Sequence, residues 1–305
     1  MTTSRREFLI QAGTALTAAA LTADHALVMR ANPLRKPLGL QLYTVAEQLK
    51  NDFDGTLRQI GAIGYKEVEA VGFFGKKPAE FKKSVEDAGL HCGSVHTGSD
   101  EPGAVMDYAA AIDAKYVISS VTLPENATMP AGGRAAFLKL LSSFTLDDYK
   151  SIAAHANQLG EQAKKNGLQL ACHNHNFEFR PLPGGGTGYD EMLRSTDPDL
   201  VKFELDCGWM AAAWHDPAIY LKKFPSRYRL LHIKDFKSTK APSFDVDNGP
   251  TPTELGRGHI NCKSIFAAAR HSAVEWFYVE QEPPFLEVPP MEAIKIDYDY
   301  LHQMS

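Results

Sequence analysis

The 305-residue chain has no cationic excess: 32 Lys and Arg stand against 37 Asp and Glu, a formal net charge of -5. Neutralising a run of phosphates takes a surplus of Lys and Arg, so a polybasic nucleic-acid binder is excluded. Cysteine is scarce. The four, at positions 92, 172, 207 and 262, show no C-x-x-C spacing and no zinc-ribbon pattern, which excludes a disulfide-stapled scaffold. No apolar run reaches the ~20 residues that a membrane span requires. No G-x-G-x-x-G follows the first predicted strand, which disfavours a dinucleotide-binding open sheet. Compositional bias is missing too. With 44% hydrophobic and 23% charged residues, the chain is neither a disordered tail nor collagen-like, and it can bury a full globular core.

The N-terminus stands apart in pattern. Ser4-Arg5-Arg6-Glu7-Phe8-Leu9 precedes a short, weakly apolar stretch and then small residues, the layout of a secretory signal rather than of a short amphipathic helix. The Arg-Arg-x-Phe-Leu arrangement resembles the twin-arginine export signal, a receptor-read address and not an anchor. It implies the twin-arginine translocation machinery as a partner, cleavage between Ala18 and Ala26, a signal over 1–26 and a periplasmic mature protein.

From Pro37 onward, short β-rich runs alternate with segments of helical period. Strands are expected at Leu38–Tyr43, Glu67–Val71, His91–His96, Tyr116–Val121, Leu168–His173, Val201–Asp206, Leu230–Lys234 and Trp276–Glu280. Helices are expected near 52–63, 77–88, 103–113, 147–166, 189–196, 217–223, 261–271 and 290–303. Eight such units predict an α/β fold, a (β/α)8 TIM barrel over 37–305. The longest connection, Phe236 to Asn261, is rich in Pro, Ser, Asp and Gly and is expected to be a lid over the C-terminal mouth of the barrel.

In such a barrel, catalytic groups project from the C-terminal strand ends. Strand five ends His173-Asn174-His175-Asn176-Phe177-Glu178, strand six Glu204-Leu205-Asp206, strand seven His232-Ile233-Lys234-Asp235, and strand eight Glu280-Gln281-Glu282. Four consecutive strands thus offer His or Glu, Asp, His and Glu at one level, a donor set for a divalent ion such as Mn, Co, Zn or Mg. His173, Asn174 and His175 cannot all point inward, because strand side chains alternate. If His173 faces the axis, Cys172 faces the helices as a buried thiol, and Cys207 beside Asp206 is read the same way, so cysteine catalysis is disfavoured.

The runs His-Asn-His-x-x-Glu-Phe, Leu-Asp-x-Gly-Trp, His-Ile-Lys-Asp and Val-Glu-Gln-Glu, with Gly39-Leu40-Gln41-Leu42-Tyr43-Thr44 and Ser94-Val95-His96, resemble the sugar phosphate isomerase/epimerase family of xylose isomerase-like TIM barrels. That resemblance implies a metal held by Glu, Asp, His and Glu from strands five to eight, three of which correspond to Asp206, His232 and Glu280. The fourth departs from the pattern: either His173 replaces the strand-five carboxylate or Glu178 reaches back to the ion.

A divalent ion polarises the carbonyl of a hydroxy-ketone and favours removal of the α-proton by a carboxylate. Glu280, Glu178 or both are the expected proton carriers. Lys234 and His96 would hold substrate oxygens, and His175, Trp209 and Glu282 would also contact substrate; Lys234 could instead be a partner of Asp235 or Glu282. Trp209 and Trp214 could stack on a sugar face, and Trp214 could equally pack under the helices. The expected activity is isomerisation or epimerisation of an unphosphorylated keto-sugar or cyclitol, since no basic phosphate cradle is visible. A keto-polyol dehydratase or 3-keto-glycoside lyase or hydrolase uses the same stage, and a non-catalytic sugar-binding barrel is a third reading. The resemblance also implies a possible homo-oligomer.

Overall fold

In the computed structural model the described residues are 32–97, 101–125, 127 and 130–304; the segment read from the sequence as a twin-arginine signal, with its expected cleavage region, lies outside them. Eight runs of β-branched and apolar residues pair as parallel strands: β1 (Gly39–Gln41), β2 (Glu67–Val71), β3 (His91–His96), β4 (Tyr116–Ser119), β5 (Gln169–His173), β6 (Val201–Asp206), β7 (Tyr228–Ile233) and β8 (Trp276–Val279). Each pairs with its neighbour in sequence, and β1 also pairs with β8, closing the barrel.

The crossover helices are α1 (Phe53–Ile63), α2 (Pro78–Asp87), α3 (Pro102–Ala111), α4 (Leu146–Lys165), α5 (Gly188–Ser195), α6 (Pro217–Lys223), α7 (Cys262–Ala269) and α8 (Pro290–Gln303). Their ends follow local chemistry. Thr145 caps α4 in a capping box with Asp148, and Gly89 and Gly167, at φ +71° and +75°, turn the chain into β3 and β5.

Most of the core lies between sheet and helices. A separate apolar plug of Tyr116, Ile118, Ala171, Leu230 and Tyr278 is also buried. By strand alternation it belongs to the barrel interior. Gly39 makes room for it, since a Cβ there would stand 2.3 Å from Tyr278 Cδ1.

Three helices escape the sequence pattern: Ala46–Asn51, Gly133–Ser143 and Cys207–Ala212. The first and last have six residues each, too few to show a helical period. The long connection after β7 is also more ordered than a plain loop. Asp235–Phe236 pairs antiparallel with Pro252–Thr253, and Asp235 accepts the backbone N–H groups of Phe236, Gly256, Gly258 and Ile260 at 2.9–3.1 Å. Beyond this clamp, the segment lies across the C-terminal face. Ser243 N donates to Ala212 O, Asn176 Nδ2 donates to Asp245 O, and Arg134 pairs with Asp247.

Candidate metal centre and active site

Register and alternation stack two polar layers above the apolar plug. His173 stands opposite Glu204, and Asp206 opposite His232. Residues two apart share a face, so Glu204 and Asp206 both point inward at successive levels.

The inner layer is fully enclosed. Glu69 and Glu204 are 0% exposed. Glu69 Oε1 accepts Gln41 Nε2 at 2.8 Å and faces Nε2 of His96 at 2.8 Å and of His232 at 2.5 Å, while Oε2 accepts Ser94 Oγ at 2.5 Å. The Ser94 and Tyr278 hydroxyls are 2.9 Å apart. Glu204 Oε2 meets three imidazoles: His173 Nδ1 at 3.0 Å, His96 Nε2 at 3.2 Å and His232 Nε2 at 3.3 Å. Its Oε1 is buried without a partner.

Lys234 centres the outer layer. Its Nζ lies 2.8 Å from Asp206 Oδ2, 2.7 Å from Glu280 Oε2 and 2.5 Å from Glu282 Oε1. His232 Nδ1 lies 2.9 Å from the same Glu280 oxygen. Asp206 Oδ1 accepts Trp209 N–H at 2.7 Å, which starts the short Cys207–Ala212 helix. The Trp209 indole N–H donates to Glu282 Oε1 at 2.9 Å, and its ring centre is 5.4 Å from Lys234 Nζ.

These contacts set the protonation states. Burial opposes ionisation of Glu280, but Lys234 and His232 outweigh it and hold the carboxyl well below the usual range. Burial likewise opposes the charged form of Lys234, yet Asp206, Glu280 and Glu282 raise it. One ammonium cannot balance three acids, and burial pushes Asp206 and Glu282 up. Glu178 is pushed up to about 8 by burial. His175 is pushed down to about 3 by burial and Lys234, so it is neutral at physiological pH.

The sequence-predicted ligands His173, Asp206, His232 and Glu280 all reach the barrel axis but divide between two donor groups. The ligand atoms of His96, His173, Glu204 and His232 lie within 4.8 Å of one another, as do those of Asp206, His232 and Glu280. Glu178 is in neither group. Its Oε2 accepts His175 N–H at 3.0 Å, and it lines a small cavity of about 30 Å³ with Tyr149, Cys172 and Phe177. His175 stacks on Phe177, rings 5.7 Å apart, and its Nδ1 has no partner. Lys234 pairs with Glu282 and not with Asp235, which is bound to backbone instead.

Trp209 is 4% exposed, so it is a wall behind Lys234 rather than an open stacking plate. Trp214 does not pack under the helices: it is 59% exposed. All four cysteines are free and buried. Reasoning confined to strand ends passed over Glu69 and Glu204, one layer lower. The signal for Glu204 was its place two residues before Asp206.

The donors suit a divalent ion: imidazoles and carboxylates converge, and the unpartnered Glu204 Oε1 lacks a positive partner that a cation would supply. Among the described residues no helix is long and apolar enough to cross a membrane.

Residues 57–304 match the family model described as xylose isomerase-like TIM barrel. Inosose dehydratase of Mesomycoplasma hyopneumoniae (strain 7448) is 26% identical over 282 residues, 87% of this chain and 85% of that protein. A solved sugar phosphate isomerase/epimerase from Parabacteroides distasonis ATCC 8503 is 26% identical, with a TM-score of 0.70 over 87% of this chain and 97% of its own. The IOLI protein, solved with a bound zinc atom, shares the fold at 13% identity and a TM-score of 0.63, over 86% of this chain and 95% of its own.

Proposed function

The chain belongs to the xylose isomerase-like TIM barrel family, and from that premise we propose that it is a divalent-metal-dependent enzyme that enolises an unphosphorylated keto-sugar or cyclitol and eliminates water from it. The observation that carries this reading is the opposite displacement of two carboxyls. Glu178 is neutral at pH 7 because burial raises it to about 8, whereas Glu280 is ionised beside Lys234 and His232. Elimination needs such a pair, a base for the α-proton and an acid for the leaving hydroxyl.

The donors around His232 would hold a divalent ion, which when bound would supply Lewis acidity at a substrate carbonyl. Glu280 removes the α-proton, and the C–H electron pair enters the enediolate. The enediolate reforms the carbonyl as the β C–O bond breaks, and Glu178 protonates the departing oxygen to give water. Lys234, fixed by Glu282 and Trp209, keeps Glu280 ionised. Neutral His175, with a free Nδ1, and the His96 ring offer hydrogen bonds to substrate hydroxyls. Asp206, Glu280 and Glu282 would repel a phosphate, which supports an unphosphorylated substrate.

The relative named inosose dehydratase, 26% identical over 85% of its length, supports elimination from a keto-cyclitol. The solved structure named sugar phosphate isomerase/epimerase supports a second reading, reprotonation of the enediolate without loss of water. Incubating the metal-loaded protein with a keto-cyclitol and ketoses in heavy water separates them by mass spectrometry: loss of one water marks the dehydratase, and deuterium uptake at constant composition marks the epimerase. Binding without either would leave a sugar-binding barrel. Export through the twin-arginine machinery to the periplasm is part of the proposal and rests on the Ser4–Leu9 pattern; a lysine pair in place of Arg5 and Arg6 should keep the protein in the cytoplasmic fraction.

A further inference from the structure

We propose that Asp297 is a positioning residue: by anchoring Gln281 it fixes Glu282 against Lys234 and Trp209, and it ties the base of the lid to the same point. Its effect on turnover rests on the proposed reaction, whereas its effect on Trp209 does not. α8 buries Ala293, Ile294, Tyr298 and Leu301, an apolar stripe of helical spacing into which one carboxylate intrudes. Asp297 is 0% exposed, and an acid so placed is tolerated only where its oxygens are bonded. Each oxygen has one partner: Oδ1 accepts the Leu255 N–H at 2.7 Å, and Oδ2 accepts Gln281 Nε2 at 2.7 Å.

Gln281 stands between Glu280 and Glu282. Both glutamates reach Lys234, at 2.7 and 2.5 Å, so the side chain between them turns away from the axis, toward α8. The strand ladder carries Glu280, whose N–H donates to Ile233 O at 3.1 Å. The next N–H, that of Gln281, leaves the ladder for Thr44 Oγ1 at 2.9 Å. Glu282 therefore depends for its place on how Thr44 and Asp297 hold Gln281. It in turn accepts the Lys234 ammonium and, at 2.9 Å, the Trp209 indole N–H. Leu255 begins the stretch that Asp235 grips at Gly256, Gly258 and Ile260. This base sits on α8, since a Cβ at Gly256 would stand 2.3 Å from Tyr300 Cε2. Further along, the lid meets Trp209, where a Cβ at Gly249 would stand 2.8 Å from Cζ3. The lid and Glu282 thus share an anchor at Asp297 and a contact at Trp209.

The full chain is labelled with ¹⁵N at its three tryptophans, and the Trp209 indole signal is assigned by its loss in Trp209→Phe. Gln281→Leu removes the anchor and leaves Asp297 its bond to Leu255. The Trp209 indole proton should move upfield as its bond to Glu282 loosens, and kcat should fall about 10- to 100-fold with little change in KM. Asp297→Leu should do the same and also speed proteolysis of the lid between residues 237 and 251. Asp297→Asn should recover both readouts, because its Oδ1 accepts the Leu255 N–H and its amide meets Gln281 Oε1 once the Gln281 amide turns over. A carboxylate that only supports the fold predicts lower urea stability with the Trp209 signal and kcat unmoved, and that result overturns the proposal. An Asp297→Asn protein indistinguishable from Asp297→Leu overturns it too. Gln281→Leu decides should Asp297→Leu fail to fold. If even wild type turns over no keto-cyclitol, the proposed reaction fails while the Trp209 signal still decides the anchor.

Discussion

Replacing Glu178 by Gln tests whether a neutral acid is built into the site. Burial raises this carboxyl from 4.5 to about 8, a difference equivalent to about 5 kcal/mol at 1.36 kcal/mol per pH unit. A group raised in the folded state contributes stability that is fully present below its unfolded value, and that contribution is lost as pH rises through the folded one. Between pH 6 and pH 9 the wild type should therefore lose about 3 kcal/mol through this residue alone. Gln keeps the shape, can accept the His175 N–H, and does not titrate. Urea unfolding of chelated wild type and Glu178→Gln at pH 6, 7, 8 and 9 should give curves that diverge by about that amount, the variant gaining on the wild type as pH rises. Parallel curves would refute the assignment. The same variant should lose about 10²–10⁴-fold in turnover, and with it the alkaline decline near pH 8.

Three further outcomes follow from single contacts. Asp235→Ala strands four backbone N–H groups of the loop clamp and should cost about 3 kcal/mol or more in urea unfolding, with faster proteolysis between residues 237 and 251; a loss under 1 kcal/mol would contradict the clamp. Gly208→Ala places a methyl 2.1 Å from Lys234 Cγ and should lower kcat at least tenfold by shifting the ammonium from Glu280, with about 1–3 kcal/mol of strain; unchanged kinetics would show that Lys234 does not position the base. Removing bound metal with a chelator should abolish proton exchange, and Co²⁺, Zn²⁺ or Mn²⁺ should restore it; exchange that survives chelation would remove the metal from the chemistry.

The barrel was legible because its signals are local and repeated. Strand runs and helical periods alternate along the chain, with a Gly closing α1, α2 and α4 (Gly64, Gly89 and Gly167), and the observed strands fall on the expected runs with ends shifted by a residue or two, as in Tyr228–Ile233. Helices of six residues left no period to read. The site was legible at the strand ends and opaque one layer down. Asp206, His232, Lys234 and Glu280 were found because barrel chemistry sits at those ends. Glu69 and Glu204 look like ordinary strand residues until closure brings β2 and β6 to the same axis, and pairing across the barrel leaves no mark in local sequence. Of the partners of Lys234, Glu282 was among those expected from the sequence, whereas Asp206 and Glu280, on the neighbouring strands, were not.

The measurement closest to the central claim is the mass spectrum of a keto-cyclitol incubated in heavy water with metal-loaded and with chelated protein. The account predicts loss of one water from the substrate only in the loaded sample. A substrate recovered without water loss from both samples, under conditions where it binds, would contradict it.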